Sequence, residues 1–152
     1  MLNDSSIAFL KKLLDTPGPS GFESAPAKVW RAEASTFASV RSDVIGNSIA
    51  EVAGSGGPTI MLAGHIDEIG VIVTWIDDNG FVYIDGIGGW DTQVLVGQRL
   101  RFLGRHGEVY GVVGKKPIHL MKADEREKVT KFADMWVDIG ALNRPQIVTD
   151  DH

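Results

Sequence analysis

The sequence predicts an α/β unit followed by a β-rich unit. Two segments near the N-terminus carry apolar residues at helical spacing, and the pattern changes to a period of two from Val40 onward. After Gly70 the sequence is almost wholly typical of short strands separated by glycine-containing turns. Helices followed by an apolar strand indicate an α/β layer, whereas many short strands indicate a small barrel or sandwich. We therefore expect two units, residues 1–69 and residues 70–152.

Two helices are expected in the first unit. Residues 3–6 include good N-cap residues, and apolar residues follow at helical spacing as far as Leu14. The first helix should stop at segment 17–23, because its prolines and glycines favour turns. A second helix should run from about residue 23 to residue 37. Its inward-facing residues are expected to be Val29, Trp30, Ala34 and Phe37.

Three strands should complete the first unit, at about residues 39–45, 48–53 and 59–64. The third segment is apolar on both faces, which is typical of a strand inside a covered sheet. In the second unit, Asn79-Gly80 predicts a hairpin with a type I′ turn. The other elements expected there are strands at 71–76, 81–84, 98–103, 108–113 and 135–139, a short helix near 124–131 and a capped helix that begins near residue 143.

Composition and charge argue against several classes of protein. The net charge is −5, and no run of lysine and arginine is longer than a pair, so we expect no nucleic-acid partner. The absence of cysteine excludes disulfides and thiolate metal sites. The first residues do not resemble a signal peptide, and no apolar stretch approaches the roughly 20 residues of a membrane-spanning helix. We expect a cytoplasmic protein without a membrane partner.

The segment that points most clearly to chemistry is His65-Ile66-Asp67. Residues two apart in an extended segment project to the same side, so His65 and Asp67 can face one cleft. A neutral imidazole is a good ligand for zinc or cobalt, and a carboxylate on its other nitrogen would orient it. The same pattern also fits a surface histidine near an edge strand, and the residues alone leave both interpretations open.

The other candidates for chemistry are weaker. We expect a packing or interface role for His119, an exposed turn for His106 and a solvated side chain for His152. No Gly-x-Ser-x-Gly nucleophile motif occurs. Aspartates in predicted turns are expected to bond the backbone, as aspartate commonly does there. These aspartates are Asp77, Asp78, Asp85 and Asp91.

Six blocks of the sequence, taken in order, resemble one family. They are residues 19–23 (PSGFE), 43–47 (DVIGN), 63–70 (AGHIDEIG), 88–91 (GGWD), 111–119 (GVVGKKPIH) and 137–141 (VDIGA). Together they resemble the glutamyl-aminopeptidase or tetrahedral-aminopeptidase family of di-metal metallopeptidases, whose members have also been labelled endoglucanase or cellulase.

The resemblance implies the N-terminal part of a zinc-peptidase-like α/β/α catalytic domain, followed by an inserted, barrel-like β domain for assembly. It implies that two zinc or cobalt ions act in the full-length protein, with His65 as a ligand and Asp67 as the catalytic acidic residue that orients it. Peptide substrates and a homo-oligomer are also implied. Contact between copies is expected to involve Gly88–Leu95 and Lys115–Leu120.

The family resemblance also sets limits on this chain. Family members are about twice as long, and their remaining ligands and general base lie beyond residue 152. We therefore expect an N-terminal fragment that is inactive alone and binds metal weakly or not at all. Two alternatives remain open: a non-catalytic assembly or regulatory module built on the β domain, and an endoglucanase. The endoglucanase would need two carboxyls flanking the scissile bond, and no such pair is evident in the sequence.

Overall fold

The computed structural model describes residues 3–147, which form two compact units, one ending at Ile69 and the other beginning at Gly70. The first unit contains two helices and a two-stranded hairpin, and the second contains a five-stranded antiparallel sheet. The predicted α/β class with a β-rich second unit is therefore confirmed. Within residues 3–147, no helix is long and apolar enough to cross a membrane.

The helices begin where the sequence predicts, but the second ends early. Helix α1, Asp4–Asp15, is capped by Asn3, whose side chain accepts from the Ser6 amide. Helix α2 spans Ser24–Ala34, and the hydroxyls of the next two residues donate to carbonyls of its last turn. Such local bonds offer the backbone an alternative to helix. The predicted inward position of Phe37 is therefore wrong, since Phe37 is 67% exposed.

The first hairpin pairs β1, Ser39–Ser42, with β2, Ser48–Glu51, in antiparallel register. Its turn is organised by the side chain of Asp43. One carboxylate oxygen accepts from the amides of residues 45, 46 and 47, and the other accepts from the Asn47 side chain. Gly46 takes a positive φ of 103° in this turn, a conformation that favours glycine.

The predicted strand at 59–64 does not form. The segment is not hydrogen-bonded into a ladder, and Ile60, Met61 and Leu62 are 81%, 84% and 95% exposed. A strand is defined by its neighbours, and no described strand runs beside this segment. Its apolar residues are therefore uncovered in this chain, although their pattern is that of an interior strand.

The sheet of the second unit has the strand order β3-β4-β7-β6-β5, with every pair antiparallel. The strands lie close to their predicted positions: β3 Gly70–Ile76, β4 Phe81–Ile87, β5 Arg99–Gly104, β6 Gly107–Lys115 and β7 Met135–Asp138. The short helix α3, Ala123–Arg126, covers only part of the predicted helix.

The core of the second unit lies on one face of this sheet. Met135 and Val137 of β7 are completely buried, and Val113 of β6 is 2% exposed. Leu95, which follows a short 3-10 turn, is 1% exposed and belongs to the same cluster. Leu95 is therefore not available for a contact between copies, which corrects one end of the predicted Gly88–Leu95 contact.

Two local predictions in the second unit differ from the structure. The β3–β4 turn is not type I′, because Asn79 does not have a positive φ, whereas Gly80 does, at 85°. The Asp77 carboxylate accepts from the Asn79 and Phe81 amides and so fixes a different turn. At the C-terminal end, Arg144–Gln146 forms a 3-10 turn capped by Asn143. The rest of the predicted helix, residues 148–152, lies outside the described residues.

Candidate metal-ligand site

The site begins where the loop between α1 and α2 meets segment 67–68. The Gly18 amide donates to Glu68 Oε1 at 2.9 Å, and the Glu68 amide donates to the Gly18 carbonyl at 3.0 Å. The Ser20 amide donates to the Glu68 carbonyl at 3.3 Å, and Pro19 and Glu68 form an isolated parallel bridge. These bonds hold the loop beside the residues that follow His65.

His65 and Asp67 face each other as the sequence predicts. His65 Nδ1 lies 2.9 Å from Asp67 Oδ1 and 3.1 Å from the Asp67 carbonyl oxygen. An ionised carboxylate and a carbonyl only accept hydrogen bonds, so Nδ1 is the nitrogen that carries the proton. In the neutral ring, Nε2 then carries the lone pair. The His65 side chain is 85% exposed, which leaves that nitrogen accessible.

Asp67 is held on both of its carboxylate oxygens. Oδ1 faces His65, while Oδ2 accepts from the Ser20 hydroxyl at 2.5 Å. The Ser20 hydrogen bond, and after it the bond to His65, hold the pKa of the Asp67 carboxyl below its ordinary value. Both bonds favour the charged form, so Asp67 is ionised at neutral pH and suited to bond a protonated Nδ1.

His65, with its Nδ1 bonded to Asp67 and its Nε2 free, fits one ligand of a zinc or cobalt site. Imidazole suits both metals, and ligating histidines commonly donate their other ring N–H to a carboxylate. A closed site needs more, since a catalytic zinc takes about three protein ligands. Over residues 3–147, no group of three or more histidine, cysteine, aspartate or glutamate side chains could hold a metal ion.

The remaining histidines do not join this pair. His106 is exposed in the turn between β5 and β6, and His119 is exposed in a 3-10 turn, Ile118–Leu120, so the predicted packing role of His119 within the chain is not found. His152 lies outside the described residues. Asp77 and Asp91 bond backbone amides as predicted. Asp85 lies in β4 rather than in a turn, although its side chain accepts from the Gly86 amide.

Sequence reasoning missed the residues that support Asp67. Ser20 and Glu68 both lie in blocks that resemble the family, but no pattern in the sequence indicates a role for either. The contact between Ser20 and Asp67 joins positions 47 residues apart, and no periodic pattern encodes such a separation. The one indication in the sequence was the proline and glycine content of loop 17–23, which favours a loop of defined conformation, and such loops often carry functional residues.

Comparisons with known proteins agree with this fold. The chain is 36% identical to a lysyl aminopeptidase of Pyrococcus furiosus over 90% of its own length and 40% of the relative. A TET aminopeptidase structure from a marine-sediment thaumarchaeon superposes with a TM-score of 0.86 at 37% identity, covering 92% of this chain and 39% of that one. The TET1 peptidase of Pyrococcus horikoshii, described as forming a tetrahedron or a large octahedral shell, gives 0.80 at 33% identity over 96% and 44%.

A family model, M42 glutamyl aminopeptidase, matches residues 46–148. The chain belongs to this family, which confirms the resemblance drawn from the six sequence blocks. A Thermotoga maritima structure described as an endoglucanase is also similar, with a TM-score of 0.73 at 25% identity over 92% of this chain and 42% of that one. The chain spans about 40% of the length of each of the relatives named above.

Proposed function

We propose that this chain is the N-terminal part of a metal-dependent aminopeptidase that releases N-terminal residues from peptides. The observation that carries the proposal is the His65–Asp67 pair, which leaves Nε2 free in a chain of the M42 family. The relatives and solved structures that support it are described as aminopeptidases and peptidases. We assign His65 as a metal ligand and Asp67 as its orienting carboxylate.

Each residue of the pair has a defined task. Asp67 keeps the proton on Nδ1, fixes the plane of the ring and leaves the lone pair of Nε2 for a metal. His65 would hold, through Nε2, one divalent ion of a two-metal centre, zinc or cobalt. The chemistry supplied by such an ion would be a lowered pKa of water and polarisation of the carbonyl of the peptide bond to be cut. The remaining ligands and the general base come from the part of the relatives that this chain does not span.

We also propose domain roles and a cellular setting. Residues 1–69 contribute to the catalytic domain, and residues 70–152 form an assembly domain. The described second unit exposes apolar residues, among them Ile118 and Leu120, which are 59% and 67% exposed. Self-association through such a surface is consistent with the shells described for the P. horikoshii peptidase. A cytoplasmic location completes the proposal.

The test compares this chain with a longer protein that contains it. The 152-residue chain should not hydrolyse aminoacyl-anilides with added zinc or cobalt, whereas the longer protein should. In the longer protein, His65→Ala should abolish turnover, and His106→Ala, an exposed turn histidine, should leave it unchanged. Turnover by the 152-residue chain that is lost on His65→Ala would contradict the assignment of the missing ligands.

The same preparation separates the alternatives. Hydrolysis of β-glucan rather than anilides by the longer protein would favour the endoglucanase that one structural relative is described as. A longer protein that assembles but hydrolyses neither substrate, with or without metal, would favour an assembly or regulatory module. The proposal requires hydrolysis of anilides that is lost on chelation and restored by metal.

A further inference from the structure

Ser20 occupies a defined place next to the metal-ligand pair. Its backbone is anchored, since its amide donates to the Glu68 carbonyl and the neighbouring Gly18 is bonded to Glu68 in both directions. Its hydroxyl is therefore presented to Asp67 from a fixed position. The hydroxyl donates to Asp67 Oδ2 at 2.5 Å, which makes Ser20 the outermost member of a chain of bonds that ends at His65.

Ser20 can influence His65 because the two residues contact different oxygens of the same Asp67 carboxylate. A carboxylate can rotate about its terminal torsion, which is broad for aspartate. The bond from Ser20 to Oδ2 opposes that rotation and leaves Oδ1 directed at His65 Nδ1. The Asp67 side chain is only 35% exposed, while that of His65 is 85% exposed, so the carboxylate is the more enclosed of the two partners. Nδ1 faces two acceptors on Asp67, Oδ1 at 2.9 Å and the carbonyl oxygen at 3.1 Å, and of these only Oδ1 depends on Ser20. Loss of the Ser20 hydroxyl should therefore weaken the hold on the ring without abolishing it.

We propose that Ser20 is a positioning residue: through Asp67 it fixes the ring orientation and the Nδ1–H tautomer of His65. The consequence for catalysis rests on the proposed function, whereas the effect on the imidazole does not. Gly18 and Glu68 hold the loop through bonds that do not involve the Ser20 hydroxyl. Removal of the hydroxyl should therefore release Asp67 without releasing the loop.

The first experiment measures the His65 tautomer in the 152-residue chain by ¹⁵N NMR of the imidazole, at a fixed pH where the ring is neutral. The wild-type chain should show mainly the Nδ1–H form. Ser20→Ala and Ser20→Cys should shift the population towards Nε2–H, and Ser20→Thr, which keeps the hydroxyl, should restore it. The control is Ser35→Ala, which removes a hydroxyl bonded to its own helix, and it should change nothing.

The amide shifts of Gly18 and Glu68 report whether the loop stays bonded in each variant. A wild-type tautomer population in Ser20→Ala or Ser20→Cys, with these amide shifts retained, would overturn the proposal. So would a tautomer change that Ser20→Thr does not reverse while the loop remains in place. The cysteine variant keeps nearly the same side-chain volume, so a packing defect in the alanine variant does not obscure the result.

The second experiment uses the longer protein and anilide hydrolysis. Loss of a partner outside the ligand shell of a metal typically costs roughly 10- to 100-fold in activity or metal affinity. We expect Ser20→Ala to lower kcat about 10-fold with KM nearly unchanged, and Ser20→Thr to recover most of the loss. An unchanged kcat in Ser20→Ala would overturn the positioning role. Inactivity of the wild-type protein would instead count against the proposed function, and the NMR measurement would still decide the role of Ser20.

Discussion

Gly18 and Glu68 bond each other in both directions, with the Gly18 amide on Glu68 Oε1 and the Glu68 amide on the Gly18 carbonyl. This pairing joins the loop after the first helix to the residues that follow His65. It explains how a site on an extended, largely exposed segment acquires a fixed geometry. The loop that supplies Ser20 is thereby held in register with Asp67.

Gly18→Ala should disrupt this pairing. A Cβ atom at this position would lie 2.4 Å from Cγ of Pro26, a ring atom that cannot swing away. Overpacking of this kind typically costs about 1–3 kcal/mol, which denaturant unfolding should detect. Gly54→Ala is the control, because its Cβ would meet open space, and it should change stability by less than about 0.5 kcal/mol. Equal unfolding free energies of the two variants would contradict this expectation and would show that the loop can move to accommodate the added methyl group.

The turn of the first hairpin should open at acid pH. The Asn47 side chain, together with the backbone amides of the turn, holds the pKa of the Asp43 carboxyl below its ordinary value. The stabilising contribution is therefore complete above the unfolded pKa, near 4, and is lost as the pH falls through the lower folded pKa. Amide NMR shifts of Ile45 and Asn47 should follow this loss. Asp43→Asn should remove the transition, and wild-type shifts that stay constant to pH 2 would contradict it.

Leu95→Ala should destabilise the second unit strongly. Leu95 is 1% exposed and packs in the cluster that includes Met135 and Val137. Truncation of a buried leucine typically costs about 2–5 kcal/mol, because a cavity remains. The control is Leu142→Ala, since Leu142 is 81% exposed and should tolerate truncation. Thermal unfolding of the two variants compares them directly, and similar melting temperatures would be inconsistent with the described core.

The 152-residue chain should associate rather than remain a monomer. Ile60, Met61 and Leu62 are apolar and exposed, and uncovered apolar surface of this kind favours association. Light scattering at high micromolar concentration should report dimers or larger species. Replacing residues 60–62 by serine should reduce the mass of the assembly measured by light scattering. The double variant Ile118→Ser and Leu120→Ser tests the exposed surface of the second unit separately. A clean wild-type monomer would mean that neither surface drives association.

Elements that depend on local chemistry were predictable from the sequence. The start of α1 follows from the Asn3 cap, and the strands of the second unit follow from period-two patterns between turns. The His65–Asp67 pair was predictable for the same reason, because a spacing of two residues places both side chains on one side of an extended backbone.

Features that depend on distant partners could not be predicted. The pattern at 59–64 is that of an interior strand, but a strand needs neighbouring strands and the described residues provide none. The support of Asp67 by Ser20 requires the loop to fold back over 47 positions. One miss has a local cause instead: the type of the β3–β4 turn is determined by the Asp77 carboxylate and not by Asn79-Gly80 alone.

The most direct test of the metal-ligand assignment is a crystal structure of a longer protein containing this chain, grown with zinc and measured at the zinc absorption edge. We expect an anomalous peak at about 2.0–2.1 Å from His65 Nε2, the usual zinc–nitrogen distance. Nδ1 should remain bonded to Asp67 in that structure. A fully bound metal centre without His65 among its ligands, or with His65 bound through Nδ1, would contradict the assignment.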